Sequence, residues 1–119
     1  MIRYSAEPGS PVVEIAVEGK VLDADLRAAM QRLRDDLDQH GKTRIVEVIR
    51  GFTGMEPQAL WTDLKLGLPL AQKVTHVAIV ADQGWIRAVS HLGRFFTAAD
   101  VKVFEPSELQ QARDWIASA

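Results

Sequence analysis

The sequence predicts a single α/β domain in which helices pack on a mixed, mostly parallel β-sheet. Residues 12–18 alternate apolar and polar side chains with period two, as in a half-buried strand. Residues 26–37 repeat leucine and methionine at helical spacing. Residues 77–81 form a short apolar run, which is typical of a strand covered on both faces. Strands and helices that alternate in this way favour a mostly parallel sheet.

The expected element order is β-β-α-β-α-β-α-β-α over residues 1–119. Residues 2–5 form a weaker first strand, and the turn-rich residues 7–11 join it to the second. We therefore expect the first strand to lie antiparallel at an edge of the sheet. Asp23 is the expected N-cap of the first helix, and Gly41 its left-handed C-cap.

The middle of the chain predicts a strand, a loop and a second helix. Residues 45–49 are β-branched and largely apolar, so they indicate a strand covered on both faces. Residues 51–55 contain two glycines and are expected to form a loop. Pro57 suits the first turn of a helix. The apolar stripe of that helix comprises Leu60, Leu64 and Leu68.

The C-terminal part continues the alternation. Residues 77–81 predict a strand, residues 85–96 an amphipathic helix, and residues 101–104 a last strand. Ser107-Glu108-Leu109-Gln110 resembles a capping box that opens a C-terminal helix.

Composition excludes several classes of protein. The chain has 119 residues and a formal net charge of −2, without the basic excess usual in nucleic-acid binders. It contains no cysteine, which excludes disulfides, thiolate nucleophiles and cysteine-based metal sites. No apolar run approaches the roughly 20 residues that span a bilayer. We expect a cytoplasmic protein.

Catalytic motifs are absent from the sequence. There is no G-x-S-x-G nucleophile elbow, no phosphate-binding glycine loop and no H-E-x-x-H pattern. The three histidines are isolated in sequence. We therefore expect no enzyme activity, no metal and no cofactor. An enzymatic alternative would use Asp82 or Glu105 as a general base, but acid–base catalysis needs a second positioned group.

Polar and aromatic residues follow the central strands, where open α/β sheets bind ligands. The candidates for binding a ligand or partner are Arg50, Thr53, Met55, Trp61, Asp82, Trp85 and Glu105. The alternative is that loops at this edge need such residues in any case. For Asp82, the favoured alternative is the N-cap of the helix that follows it.

Two apolar features leave a choice between core and surface. Trp61 and Trp85 either close the ends of the core or belong to an interface, where tryptophan is enriched. The helix over residues 85–96 opposes its apolar face with Arg87, His91 and Arg94. Such a helix either packs on a sheet or lies on a membrane.

A family resemblance follows from motifs spread along the chain. These are residues 19–25, Ala59-Leu60-Trp61-x-Asp63-Leu64, Val77-Ala78-Ile79-Val80-Ala81-Asp82 with Trp85, Val103-Phe104, and Ala112-x-x-Trp115. Together they resemble the SpoIIAA-like family of the STAS-like fold class (sulfate transporters and anti-sigma factor antagonists). The resemblance covers nearly the whole chain. It implies a small mixed sheet with helices against it.

The resemblance also implies a phosphorylation site to look for. Anti-sigma factor antagonists bind a kinase partner and are switched by phosphorylation of a serine after a central strand. In this chain the corresponding loop reads Phe52-Thr53-Gly54-Met55, so Thr53 is the matching phosphoacceptor. The flanking acid of the family motif is missing, and Arg50 lies nearby instead.

Two functions are expected from these residues and this resemblance. The first is a non-enzymatic interaction or regulatory module that binds a protein partner or a second copy of the chain. The second is a carrier or sensor of a small apolar or lipid-like molecule, because the SpoIIAA-like fold is similar to that of CRAL-TRIO domains. Leu60–Leu68 and Trp85–Phe96 would wall its cavity.

Overall fold

The computed structural model describes residues 1–82 and 99–119, and the predicted helix over residues 85–96 lies outside them. The described residues form a five-stranded sheet in the order β1-β2-β3-β4-β5. The strands are β1 (Ile2–Ala6), β2 (Val12–Val21), β3 (Thr43–Met55), β4 (Val74–Val80) and β5 (Asp100–Phe104). β1 pairs antiparallel with β2, and the other pairs are parallel. The predicted mixed sheet with an antiparallel edge strand is confirmed.

The helices follow the predicted alternation. They are α1 (Asp23–His40), α2 (Pro57–Thr62), a π-helical segment (Asp63–Gly67), α3 (Leu68–Ala71), a 3₁₀ turn (Pro106–Glu108) and α4 (Leu109–Ser118). α2, the π segment and α3 are continuous, so residues 57–71 form one interrupted helical stretch. Of the described helices, none is both long and apolar enough to cross a membrane.

The sheet has a core on each face because strand residues alternate between the two sides. On the first face, β-strand residues pack against α1 and α3 through Leu33, Leu37 and Leu70. On the second face, Val46, Val48, Val80 and their neighbours pack against Ala112 and Ile116 of α4. β3 is therefore covered on both sides, as residues 45–49 predicted.

The predicted loop over residues 51–55 is wrong, because these residues continue β3. Gly51 and Gly54 have φ of 54° and 141°, values that other residues rarely adopt. They let the strand pass an irregularity and then pair again, with Gly54 opposite Lys20 and Met55 opposite Val21. β2 likewise extends beyond the predicted end to Val21.

The predicted N-cap at Asp23 is also wrong. Leu22 occupies the cap position in extended geometry without a side-chain cap, and Asp23 is the first helical residue. The Asp23 N–H donates to Glu56 Oε1 at 2.8 Å, so a carboxylate just after the end of β3 satisfies this free helix donor. Gly41 does end the helix, with φ of 79° and its N–H donating to the Leu37 carbonyl.

Candidate functional site

The strand register brings three of the predicted residues to one edge of the sheet. Val48 pairs with Val80, and Val80 with Phe104. Arg50 and Asp82 lie two residues after Val48 and Val80, respectively. Glu105 directly follows Phe104. Asp82 and Arg50 are exposed. Within the described residues, no hydrogen bond or ion pair joins Arg50, Thr53 and Glu105 to one another.

The remaining predicted residues occupy different environments. Thr53 is exposed within β3, not in the loop before a helix. Met55 is half-buried and packs against Val21, Leu26 and Ala59, which gives it a role in the core. Trp85 lies outside the described residues.

Glu105 has a structural role in the described part of the chain. It is the N-cap of the 3₁₀ turn, and its side chain accepts from the backbone of Glu108. In return, Glu108 Oε1 accepts from the Glu105 N–H at 2.8 Å. The predicted capping box at residues 107–110 is therefore wrong by position, because the cap lies two residues earlier, where extended backbone precedes Pro106.

Glu47, an acid on the first face of the sheet, was not among the residues predicted from the sequence. Register pairs Glu47 with Ile15 on β2 and with Ile79 on β4. Ile15 pairs in turn with Tyr4 on β1, and Ile79 pairs with Val103 on β5. These five residues form one row across the sheet. Glu47 is the one charged residue in a row that otherwise packs with the core of this face.

Burial changes the acidity of Glu47. Glu47 is half-buried, and its side chain lies on the face of the sheet that α1 covers. Removal of this carboxyl from water raises its pKa from 4.5 to about 7, and the nearby Asp63 carboxylate adds to the rise. No cation among the described residues pairs with it. A carboxyl that loses or gains its proton near neutral pH is a feature of functional sites.

Asp63 is the first residue of the π segment, and its charge acts on Glu47 through space. Desolvation also raises the pKa of Asp63, even though the residue as a whole remains exposed. Asp63 Oδ1 lies 3.3 Å from the place that a Cβ on Gly67 would occupy. A glycine at position 67 therefore leaves room for the carboxyl to fold back along its own helix. Single-turn π segments inside α-helices are frequent at functional sites.

A buried hydrogen bond joins α2 to the start of α1. Thr62, 2% exposed, donates from Oγ1 to Asp23 Oδ1. Asp23 Oδ2 accepts from Arg27 Nε at 2.7 Å. The Thr62 and Arg27 bonds hold the pKa of Asp23 below its ordinary value. These contacts fix the N-terminal part of the interrupted helical stretch.

Three large apolar side chains close to this junction in sequence are exposed. Trp61 is 64% exposed, Leu22 is 43% exposed and Leu66 is 38% exposed. The Thr62–Asp23 bond brings Trp61 and Leu22, the residues just before each partner, into the same region. We call Leu22, Trp61 and Leu66 the Trp61 surface. Trp61 therefore lies on the surface and does not close the end of the core. Of Leu60, Leu64 and Leu68, the side chains lie outside what the structure describes.

A polar crevice of about 240 Å³ lies between the β1–β2 loop and the second half of α1. Its lining includes Arg32, Asp35, Asp36 and His40. The Tyr4 hydroxyl donates to Asp36, and the Arg32 guanidinium lies 4.6 Å from the centre of the Tyr4 ring. Arg32 and Asp36 are therefore already engaged with the same tyrosine. In residues 1–82 and 99–119, no cluster of acids and histidines is suited to hold a metal ion.

Comparison with known proteins identifies the family. The sequence profile described as SpoIIAA-like matches residues 12–117. The chain belongs to the SpoIIAA-like family. The resemblance expected from its tryptophans, acids and apolar strands is confirmed.

A solved structure supports the same fold. It is the crystal structure of an uncharacterised protein of the DUF3478 family with a SpoIIAA-like fold, from Shewanella loihica PV-4. The two chains are 24% identical with a TM-score of 0.74, over 98% of this SpoIIAA-like chain and 92% of the other. Comparison with curated proteins gave no match.

Proposed function

We propose that this SpoIIAA-like protein is a non-enzymatic, cytoplasmic interaction module that binds a partner protein through the Trp61 surface. The observation that carries the proposal is the 64% exposure of Trp61 on a helix whose next residue is almost fully buried. Tryptophan is enriched among the residues that dominate binding energy. The lack of cysteine supports a reducing compartment.

The chemistry of the surface indicates the kind of partner. Leu22, Trp61 and Leu66 present aliphatic and indole groups, which a partner would cover with a concave apolar pocket. The backbone beneath is held by the Thr62–Asp23 bond, so little ordering is needed when the indole docks. Enclosing the indole would remove most of its exposed area from water, which supplies the driving force.

Site-specific photo-crosslinking tests this proposal. A benzophenone amino acid replaces Trp61 in the host cell, and the same group replaces Gln110, an exposed residue of α4, as the matched control. We expect a discrete adduct larger than the chain by the mass of a partner protein from position 61 and none from position 110. That adduct should disappear when Leu66→Ser is added.

Other adducts would contradict the proposal in different ways. An adduct of twice the chain mass would show that a second copy occupies the surface. Equal crosslinking at positions 61 and 110, or no protein adduct at 61, would show that the Trp61 surface does not bind a partner protein.

The same exposed apolar residues favour a second candidate function, the carriage of a small apolar or lipid-like molecule. Native mass spectrometry of gently purified protein tests it. A bound small molecule that is lost in Trp61→Ser would support the carrier, whereas a clean mass of the chain alone would count against it.

A further inference from the structure

Strand β1 forms one edge of the described sheet, and its backbone groups alternate between β2 and the open side. The Glu18 N–H donates to the Met1 carbonyl at 2.9 Å, and the Met1 amino group donates to the Glu18 carbonyl at 2.6 Å. In an antiparallel pair, residues that bond to the neighbouring strand alternate with residues that do not. The register therefore turns the N–H and C=O groups of Ile2, Tyr4 and Ala6 away from β2.

Arg32 of α1 covers the centre of this open side. Its Nη1 donates to the Tyr4 carbonyl at 3.0 Å, and its guanidinium lies 4.6 Å from the centre of the Tyr4 ring. The ring is held in turn by the bond from its hydroxyl to Asp36. Elsewhere along this edge, no hydrogen bond from residues 1–82 or 99–119 engages the outward groups of Ile2 or Ala6.

The open side of β1 is complementary to a second copy of itself. Unpaired N–H and C=O groups along an edge strand are a template for another strand. Antiparallel pairing about a twofold axis at Tyr4 would set Tyr4 opposite Tyr4 of the second copy and Ile2 opposite Ala6. The same register sets Arg3 opposite Ser5, so like charges on the strands do not meet. All five residues of β1 would then be paired.

We propose that the outer edge of β1 is a strand-pairing surface for a second copy of this chain, and that Arg32 keeps it closed. At the centre of the pairing, both backbone bonds need the Tyr4 carbonyl of one copy or the other. The Arg32 donor occupies the space that the incoming N–H needs at this carbonyl. The twofold axis would also bring the two Arg32 guanidinium groups towards the same pair, where their charges repel. This surface does not depend on the partner proposed for the Trp61 surface.

Sedimentation equilibrium of the whole chain over a concentration series tests the proposal. Arg32→Ala frees both central bonds and removes the repelling charges. It should therefore dimerise at concentrations at least about tenfold lower than the wild type. Arg34→Ala is the matched control, because Arg34 is an exposed arginine of the same helix, and it should associate as the wild type does.

A second change places the contact on β1. Ala6→Pro removes an outward N–H and leaves the groups that bond to β2 in place, so adding it to Arg32→Ala should reverse the gain in association. In the Arg32→Ala dimer, the Tyr4 and Ala6 amides should exchange with solvent more slowly than in the wild type, as measured by NMR.

Four results would each overturn the proposal. The first is unchanged association of Arg32→Ala, and the second is an equal gain in Arg34→Ala. The third is a gain that survives Ala6→Pro. The fourth is an Arg32→Ala dimer in which the Tyr4 and Ala6 amides exchange as fast as in the wild type.

Discussion

Burial raises the pKa of the Glu47 carboxyl on β3, and the nearby Asp63 carboxylate on the π segment adds to the rise. The strand supplies one group from the middle of an apolar row, and the interrupted helix supplies the other. The fold could avoid this conflict with an apolar residue at position 47. With Glu47 at this position, we expect the stability of the fold to depend on pH.

The first prediction concerns global stability between pH 4.5 and pH 8. Because the pKa of Glu47 is raised from 4.5 to about 7 on folding, the folded state binds more protons than the unfolded state across this window. The contribution of Glu47 to stability is therefore full below pH 4.5, falls as pH rises and levels off above about 7. The loss is on the order of 3 kcal/mol.

Denaturant unfolding at several pH values checks this dependence. Glu47→Gln should flatten the curve and be the more stable protein at pH 8. Glu7→Gln, an exposed acid on the β1–β2 loop, is the control and should retain the wild-type curve. A Glu47→Gln curve parallel to that of the wild type would refute the assignment.

The second prediction concerns the bond between Thr62 and Asp23. Thr62→Val keeps the shape but removes the hydroxyl, so the melting temperature should fall by about 5 °C. The bond lowers the pKa of Asp23 from its ordinary value of 3.8, so it stabilises the fold above pH 3.8 and this contribution is lost as pH falls. The acid limb of the stability curve should therefore become shallower in Thr62→Val. Thr53→Val, at an exposed threonine, should change neither quantity.

The third prediction separates two tryptophans by burial. Trp61→Ala removes a largely exposed indole and should change the free energy of unfolding by less than about 0.5 kcal/mol. Trp115→Ala removes a half-buried ring that packs against Phe104 and His76, at a cost of roughly 2–3 kcal/mol. Equal losses in both variants, measured by chemical denaturation, would place Trp61 in the core.

The fourth prediction tests Glu105 as a cap. Glu105→Ala and Glu108→Ala each break the same reciprocal pair, so each should cost about 1 kcal/mol and the double variant little more. Thermal unfolding and amide exchange in the first turn of α4 measure this. Full additivity of the two losses would show that the side chains do not act as one unit.

Much of the fold could be predicted from side-chain periodicity. The alternation over residues 12–18 and the apolar run over residues 77–81 located β2 and β4, because burial on one or both faces leaves a direct record in sequence. The C-terminal half of β3 was missed because Gly51 and Gly54 indicate a turn as readily as a bulged strand. The π segment has no sequence signal comparable to the alternation that located β2 or to the apolar run that located β4.

The site was harder to predict because its residues become neighbours only through tertiary structure. Residues 45–49 were expected to form a strand covered on both faces. Every side chain of such a strand, including that of Glu47, points towards a layer of helices. This pattern is the available sequence signal for Glu47. The influence of Asp63 on Glu47 depends on where the helical stretch 57–71 packs in the tertiary structure, and local spacing in the sequence does not contain that information.

A carbon-13 NMR titration of the Glu47 side-chain carboxyl tests most directly whether β3 holds this acid in an apolar layer opposed by Asp63. Assignment by comparison with Glu47→Gln isolates its resonance. We expect a midpoint at about pH 7, which moves lower in Asp63→Asn. A midpoint near 4.5 in the wild type would show that the Glu47 carboxyl is solvated, and would contradict its place among the apolar residues of this row.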